Sequence, residues 1–249
     1  DLDFNMPWHD ALMPIAQNYL AVERAVVECA YAGCETIWVV CHDDMQPLIR
    51  HRIGDWVQDP VWAYRYKEYN AKQLKKDIPI FYVPIRIRDK DKRDCLSWSV
   101  LYGALTAYKT AFKISKWVCP DKYYTAFPYG AYQPWIVREH RKEISNKNAF
   151  FLTHNGKSVI NGMYLGFTFT GEDFKMYRDH LRAQATGKWT SGGPGVKSET
   201  LPMEERYSAR FFKLEDVFGI TEIKEEDKKL EVPWYFNLDN WEDYCYYIA

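Results

Sequence analysis

The sequence predicts an α/β fold of three layers, with a mainly parallel central sheet and a late antiparallel hairpin. Three observations carry that expectation. A helix-periodic stretch ends at Gly33 and leads into a short apolar run, "TIWVV", which is half of a strand–helix–strand crossover. Apolar strand-like runs and amphipathic helix-like stretches then keep alternating as far as Ser145. After residue 147 the pattern changes, and Asn155-Gly156 stands between apolar runs as a strong short-range hairpin signal.

Each element has a local reason. In "NYLAVERAVVECAYAGCETIWVV", Leu20, Ala21, Val22, Ala25, Val26, Cys29 and Ala30 recur at helical spacing. Asn18 is placed to cap that helix and Gly33 to stop it. "TIWVV" reads as a strand buried on both faces. "DDMQPLIRHRIGDWV" and "YRYKEYNAKQLKK" predict two short helices before "IPIFYVPI" (78–85), the second buried strand. "CLSWSVLYGALTAYKTAF" (95–112) is a second long amphipathic helix, and "KYYTAFPY" (122–129) a third strand. "QPWIVREHRKEIS" is helical after its proline, and "GEDFKMYRDHLRAQA" is a helix with an acidic first turn. The chain closes with "ARFFKLEDVFGI", the charged "KEEDKKLE", the strand "VPWYF" and a helix opening near Asn240. No repeat or linker interrupts this order, so a single domain over residues 1–249 is expected.

Composition excludes several classes. Apolar residues make up 47% of the chain, enough for a sizeable core and too many for a disordered protein. A formal charge of −1 and a pI near 6.7 argue against a dedicated nucleic-acid binder. No apolar run reaches the roughly 18 residues of a membrane span. The opening "DLDFNMPWHD" lacks the layout of a signal peptide, so a cytoplasmic protein is expected. Six cysteines without CxxC spacing are expected as buried free thiols of a reducing cytosol. Residues 64–94 carry ten Lys or Arg against five acids, whereas residues 222–249 carry eight acids against three Lys. That separation suits a phosphorylated ligand or merely a solvated surface.

The candidate site is the closing turn, "FNLDNWEDY". Asn237 and Asp239 are two residues apart, a spacing that points both side chains the same way in a strand. Two readings fit. Asp239 or Asn240 caps the last helix, whose first turn carries Glu242 and Asp243. Alternatively, the turn lies at the carboxyl end of a strand, where open α/β sheets bind ligands, and offers oxygen donors to Mg2+. Arg86, Arg88 and Arg93 in "RIRDKDKRD" are candidate phosphate partners, although alternating charges also suit a solvated loop. His42, Asp43 and Asp44 follow the first buried strand, and "SGGPG" has the freedom of a phosphate loop without the Gly-Lys-Ser ending. No GxSxG, HExxH or CxxC occurs, which disfavours serine hydrolase and zinc-site chemistry.

"FNLDNWEDY" resembles the "DIDTPEDY"-type ending of nucleotidyltransferases with the GT-A fold, the superfamily that includes sugar-phosphate nucleotidylyltransferases. "ALMPIAQNYLAVERAVVECAYAGCETIWVV" is similar to that family's opening, and "RDCLSWSVLYGALTAY" to its turn and helix against the nucleobase. The resemblance implies Mg2+ held at Asn237 or Asp239 and a base near Ser97 or Ser99. The activity it implies is transfer of a nucleotidyl group from a nucleoside triphosphate to a phosphorylated sugar or similar acceptor. The chain also resembles proteins carried by tailed marine phages, which implies the cytoplasm of an infected host.

Three departures qualify the resemblance. The family's Gly-rich phosphate loop has no counterpart in the residues given, where the first glycine is Gly33; either a segment before Asp1 supplies it or the chain is a diverged member. His9-Asp10 stand where the family has Pro-Lys, and Tyr129-Gly130 where it has a central acid. A catalytically silent binding or assembly module, with a protein partner, is therefore the alternative expectation. A glycosyltransferase using a nucleotide sugar ranks third, its DxD letters present only as "DKD" at 89–91.

Overall fold

The computed structural model describes residues 10–65, 76–85, 87, 89, 95–114, 119–185, 187–188, 199–200 and 211–249. Pro14–Ala16 (β1) and Tyr19–Leu20 (β2) form a small antiparallel hairpin. Its turn takes Asn18 to a φ of 56°, a left-handed conformation that Asn tolerates better than most residues. Asn18 is thus a turn residue, not the expected cap. Glu23 does the capping instead, its carboxylate accepting the Leu20 N–H at 2.8 Å at the start of Ala21–Ala32 (α1).

The far end of α1 follows expectation. Gly33 takes a φ of 88°, and its N–H and that of Cys34 return to the carbonyls of Ala30 and Cys29, both at 3.2 Å. This is the paired C-terminal turn that glycine makes possible. A Cβ at position 33 would also come within 3.2 Å of the Arg141 side chain. Gly33→Ala should therefore lose about 1–2 kcal/mol, measured as a lower urea midpoint with an unchanged slope.

The chain continues through Ile37–Cys41 (β3), Gln46–Ile53 (α2), Trp56–Gln58 (β4), Pro60–Arg65 (α3) and Asp77–Pro84 (β5). The sheet order is β3-β5-β4. β3 and β5 pair in parallel and β4 joins antiparallel. One face of this sheet packs Ile37, Ile78 and Ile80 against Val26 and Ala30 of α1. On the other lies Leu96–Ile114 (α4), so close that a Cβ on Gly103 would come 2.8 Å from Val40 Cγ2. Burial on both faces is incomplete, because Trp38 and Phe81 stack at 4.5 Å with Phe81 still 41% exposed.

Next come Lys122–Thr125 (β6), Gly130–Ala131 (β7), Arg141–Ser145 (α5), Phe150–Thr153 (β8), Phe167–Thr170 (β9) and Gly171–Ala185 (α6). Gly187–Lys188 (β10) and Glu199–Thr200 (β11) make a separate two-stranded pair. Leu214–Phe218 (α7), Lys228–Glu231 (β12), Phe236–Asn237 (β13) and Trp241–Ile248 (α8) complete the chain. The second main sheet has the order β12-β8-β9-β6, with β12 parallel to β8 and the other pairs antiparallel. The expected mainly parallel sheet is therefore corrected to two mixed sheets. Asn155 and Gly156 do form the expected turn, at φ 50° and 73°. A single His154–Lys157 bridge follows it, and a 3-10 turn at Val159–Asn161 diverts the chain before β9.

β8 is buried along its whole length. Phe150 and Leu152 pack on one side with Ala32, Val137 and Ile144. Phe151 faces the other side, with Phe167, Phe169, Tyr177, Leu181 and Phe218. The aromatics divide between core and surface: ring pairs such as Phe167–Phe218 at 5.0 Å lie in the core, whereas Trp56, Tyr64, Phe112 and Tyr246 are exposed.

α1 also carries a buried ion pair. Arg24 and Glu28, 2% and 0% exposed, meet at 2.8 Å. Glu28 also accepts the hydroxyls of Tyr124 at 2.6 Å and Tyr132 at 2.7 Å. Arg24 donates to the Phe127 carbonyl at 2.5 Å and lies 4.3 Å from the Tyr132 ring centroid. Burial works against the guanidinium charge, but Tyr132 and Glu28 outweigh it and hold Arg24 protonated. This network ties α1 to the chain on either side of β7.

A second pair fixes the C-terminal end of α1. Arg141 bonds both oxygens of Asp59, at 2.7 and 3.0 Å, and donates to the Ala30 and Tyr31 carbonyls. Burial pushes the Asp59 carboxyl up, yet the hydrogen bonds from Arg141 and from the Trp62 and Val61 N–H groups win and lower it. A depressed folded-state value means stability present above the unfolded value, near pH 4, and lost as pH falls through the folded one. Urea midpoints should therefore drop below about pH 4, and Arg141→Met should flatten that acid limb while lowering the midpoint at pH 7.

Candidate functional site

The closing turn is built by β13, which pairs antiparallel with β7 so that Asn237 lies opposite Gly130 and Phe236 opposite Ala131. The Leu238 N–H extends the pairing by donating to the Tyr129 carbonyl at 2.7 Å. Leu238 itself is fully buried and anchors the turn in a small cluster with Met13, Ile15, Ala21 and Tyr244. Asn237 and Asp239 are half-buried on either side of it.

Their approach comes from turn geometry, not from strand alternation. β13 ends at Asn237, and the Asp239 N–H donates to Asn237 Oδ1 at 3.2 Å, an Asx turn. The carboxylate of Asp239 accepts the Tyr164 hydroxyl in a short hydrogen bond. Asn240, not Asp239, caps α8, accepting the Glu242 N–H at 2.9 Å. The capping reading therefore holds for Asn240 and leaves Asp239 for a different task.

Three phenols surround that carboxylate. Tyr164 and Tyr129 rings lie 5.4 Å apart, and the Tyr164 N–H donates to the Tyr235 hydroxyl at 3.2 Å. Burial raises all three hydroxyls, and Asp239 adds to each shift. They remain protonated at neutral pH and do not serve as bases; the Tyr164 hydroxyl donates to Asp239 and the Tyr235 hydroxyl accepts from the main chain. Asp10 also raises Tyr129, so the opening segment adds a second negative charge nearby. The turn is thus an acidic, tyrosine-lined feature that attracts a cation and repels a bare phosphate.

The other expected residues fall elsewhere. Ser97 is fully buried and its hydroxyl donates to the Lys213 carbonyl at 3.3 Å. Ser99 bonds the Cys95 carbonyl, four residues back, at 3.2 Å. Burial closes Ser97 to a ligand, whereas half-buried Ser99 keeps its acceptor lone pairs. Asp43 accepts the Asp44 N–H in the turn after β3, while α2 has Met45 at its cap position and no side-chain cap. Arg86, Arg88, Arg93 and the "SGGPG" loop lie outside the described residues.

Among the described residues no group of three or more His, Cys, Asp or Glu is arranged to hold a metal ion. None of their helices is long and apolar enough to cross a membrane. An open cleft of about 430 Å³ lies away from the closing turn, lined by Thr153, Ser158, Asn161, Thr221, Lys229 and Glu231 among others. Glu231 is committed there to the Asn155 N–H and the Thr153 hydroxyl, at 2.5 and 2.6 Å. Tyr164 and Tyr235 escaped sequence reasoning because phenols in aromatic runs look like core; Tyr129 was noticed only as standing where the resembled family has an acid. Comparison with protein-family models and with curated proteins finds no match to this chain.

Proposed function

We propose that this chain is a GT-A-like protein binding a nucleoside triphosphate, or a nucleotide sugar, through Mg2+ at the Asn237–Asp239 turn. The activity proposed is transfer of a nucleotidyl group to a phosphorylated sugar or similar acceptor. The observation carrying this reading is the pairing of Asn237 with Gly130. It sets the proposed metal turn against the segment, 107 residues away, where the resembled family carries its central acid and this chain has Tyr129-Gly130. Helices on both faces of the β3-β5-β4 sheet support the three-layer frame.

The donors fit a thinly held ion. Mg2+ commonly takes one or two protein oxygens and completes its octahedron with water and substrate phosphates. Asp239 keeps one carboxylate oxygen beyond the bond from Tyr164, and the Asn237 carboxamide oxygen has a second lone pair. When bound, the ion neutralises phosphate charge and templates in-line attack on the α-phosphate. Tyr164 orients the Asp239 carboxylate and, being held protonated, takes no part in proton removal. Asp10 and Asp239 repel phosphate unless the cation intervenes, which makes binding Mg2+-dependent.

One observation favours the silent-module reading. A Cβ on Gly130 would run into the Tyr164 carbonyl oxygen, so this backbone leaves no room for an acidic side chain there. Thermal unfolding with ATP, CTP, GTP, UTP and dTTP, with and without Mg2+, followed by a pyrophosphate-release assay with sugar phosphates, separates the readings. A nucleotide at a hundredfold excess over its Kd adds about 2.7 kcal/mol, a shift of roughly 5–10 °C for a chain of this size. A Mg2+-dependent shift with turnover supports transfer, a shift without turnover supports the silent module, and no shift with any nucleotide refutes the proposal.

A further inference from the structure

The turn that ends α1 has a chemical property independent of the nucleotide site. In a paired glycine turn of this kind, the residue after the glycine commonly contacts the residue three positions before the helix end. Here those two residues are Cys34 and Cys29. Their main chains are joined by the Cys34 N–H···O=C Cys29 bond at 3.2 Å. An i to i+5 hydrogen bond of that length brings the two Cα atoms to about 5–6 Å, inside the range a disulfide spans. Both residues are half-buried and both thiols are free. Both also pack beside the same cluster, formed by Val26, Ala30, Ile37, Ile78 and Ile80.

We propose that Cys29 and Cys34 form a redox-active dithiol that closes reversibly to a disulfide across the C-terminal turn of α1, by exchange with a small disulfide such as oxidised glutathione. Cys34 lies in the loop beyond the helix. It is the first attacker, since contact with Cys34 and then burial hold the Cys29 thiol well above its ordinary range. The Cys34 thiol gives up its proton and its sulfur attacks one sulfur of glutathione disulfide, releasing one glutathione and leaving a mixed disulfide. The Cys29 sulfur then attacks the Cys34 sulfur, forms the intramolecular bond and expels the second glutathione. Two protein thiols are oxidised, one glutathione disulfide is reduced, and the two protons leave on the two glutathiones. The closed form pins the turn on which Arg141 docks through the Ala30 and Tyr31 carbonyls.

No main-chain turn of this kind joins another pair of cysteines among the described residues. Cys41 and Cys95 are buried, and burial raises the Cys41 thiol to about 11. The whole folded chain is therefore equilibrated with graded ratios of oxidised to reduced glutathione, alkylated, and mapped by fragmentation mass spectrometry. The proposal expects loss of two alkylatable thiols, a bond assigned to residues 29 and 34, and slower amide exchange at Gly33 and Cys34. Cys41→Ser should close as the wild type does. Cys34→Ser should keep Cys29 reduced, and both variants are checked for native circular dichroism. Six alkylatable thiols in fully oxidised glutathione, a reaction that stops at a mixed disulfide, or a bond to Cys41 would each overturn it.

Discussion

Glu28→Gln is expected to destabilise the protein by about 3–5 kcal/mol, roughly 6–20 °C in Tm for a chain of this length. The carboxylate is fully buried and serves Arg24, Tyr124 and Tyr132 together. Glutamine retains the shape but not the charge, so Arg24 is left buried with no counter-ion and with an Nε already lacking a partner. A carboxamide also turns one acceptor into a donor, facing groups that donate. Gly166 sharpens the effect: a Cβ there would strike the Tyr124 hydroxyl and Glu28 Oε1, so the packed backbone cannot relax around a misfit. Replacing Arg24 and Glu28 together by methionine should recover only part of the loss. The Phe127 carbonyl and the Tyr124 hydroxyl would remain without these partners. Equilibrium urea unfolding of the two variants measures both effects.

Gly130→Ala should cost about 3 kcal/mol through overpacking. The new methyl would meet the Tyr164 carbonyl, a backbone atom that cannot swing aside, and lie 3.1 Å from Tyr235 Cε2. Gly130→Asp should cost more, since it adds a buried carboxylate beside Asp239. That outcome has a functional meaning. Restoring an acid where the resembled family carries one is not open to this chain without moving the backbone at Tyr164 away from β7. Thermal melts of both variants against wild type give the order wild type, then Gly130→Ala, then Gly130→Asp.

What was legible in the sequence was local and strongly patterned. α1, β3, β5 and α4 follow from apolar spacing and a stop glycine, and each lies within a few residues of its expected bounds. β12 was hidden because its residues, Lys228, Lys229 and Glu231, are exposed on an edge strand whose charges blunt further pairing. β6 ends at Thr125, four residues before the apolar run does, because Ala126 to Tyr129 turn towards β7 instead. The antiparallel β8–β9 pair agrees with the hairpin expected around Asn155-Gly156, but strand direction is not written in composition, so the antiparallel β6–β9 pairing escaped notice. At the site, the proximity of Asn237 and Asp239 was legible as spacing. The Tyr164 bond and the Gly130 partner were not, because they join residues 75 and 107 positions apart.

The most direct test of the central claim is equilibrium binding of each nucleoside triphosphate in Mg2+ and in chelator, for wild type and for Asp239→Ala. Asp239 accepts Tyr164 but does not cap α8, so its loss should leave the fold intact by circular dichroism. The account predicts that one nucleotide binds the wild type only with Mg2+, and that Asp239→Ala abolishes this binding while staying folded. Binding that survives chelation, or that Asp239→Ala leaves unchanged, would contradict it.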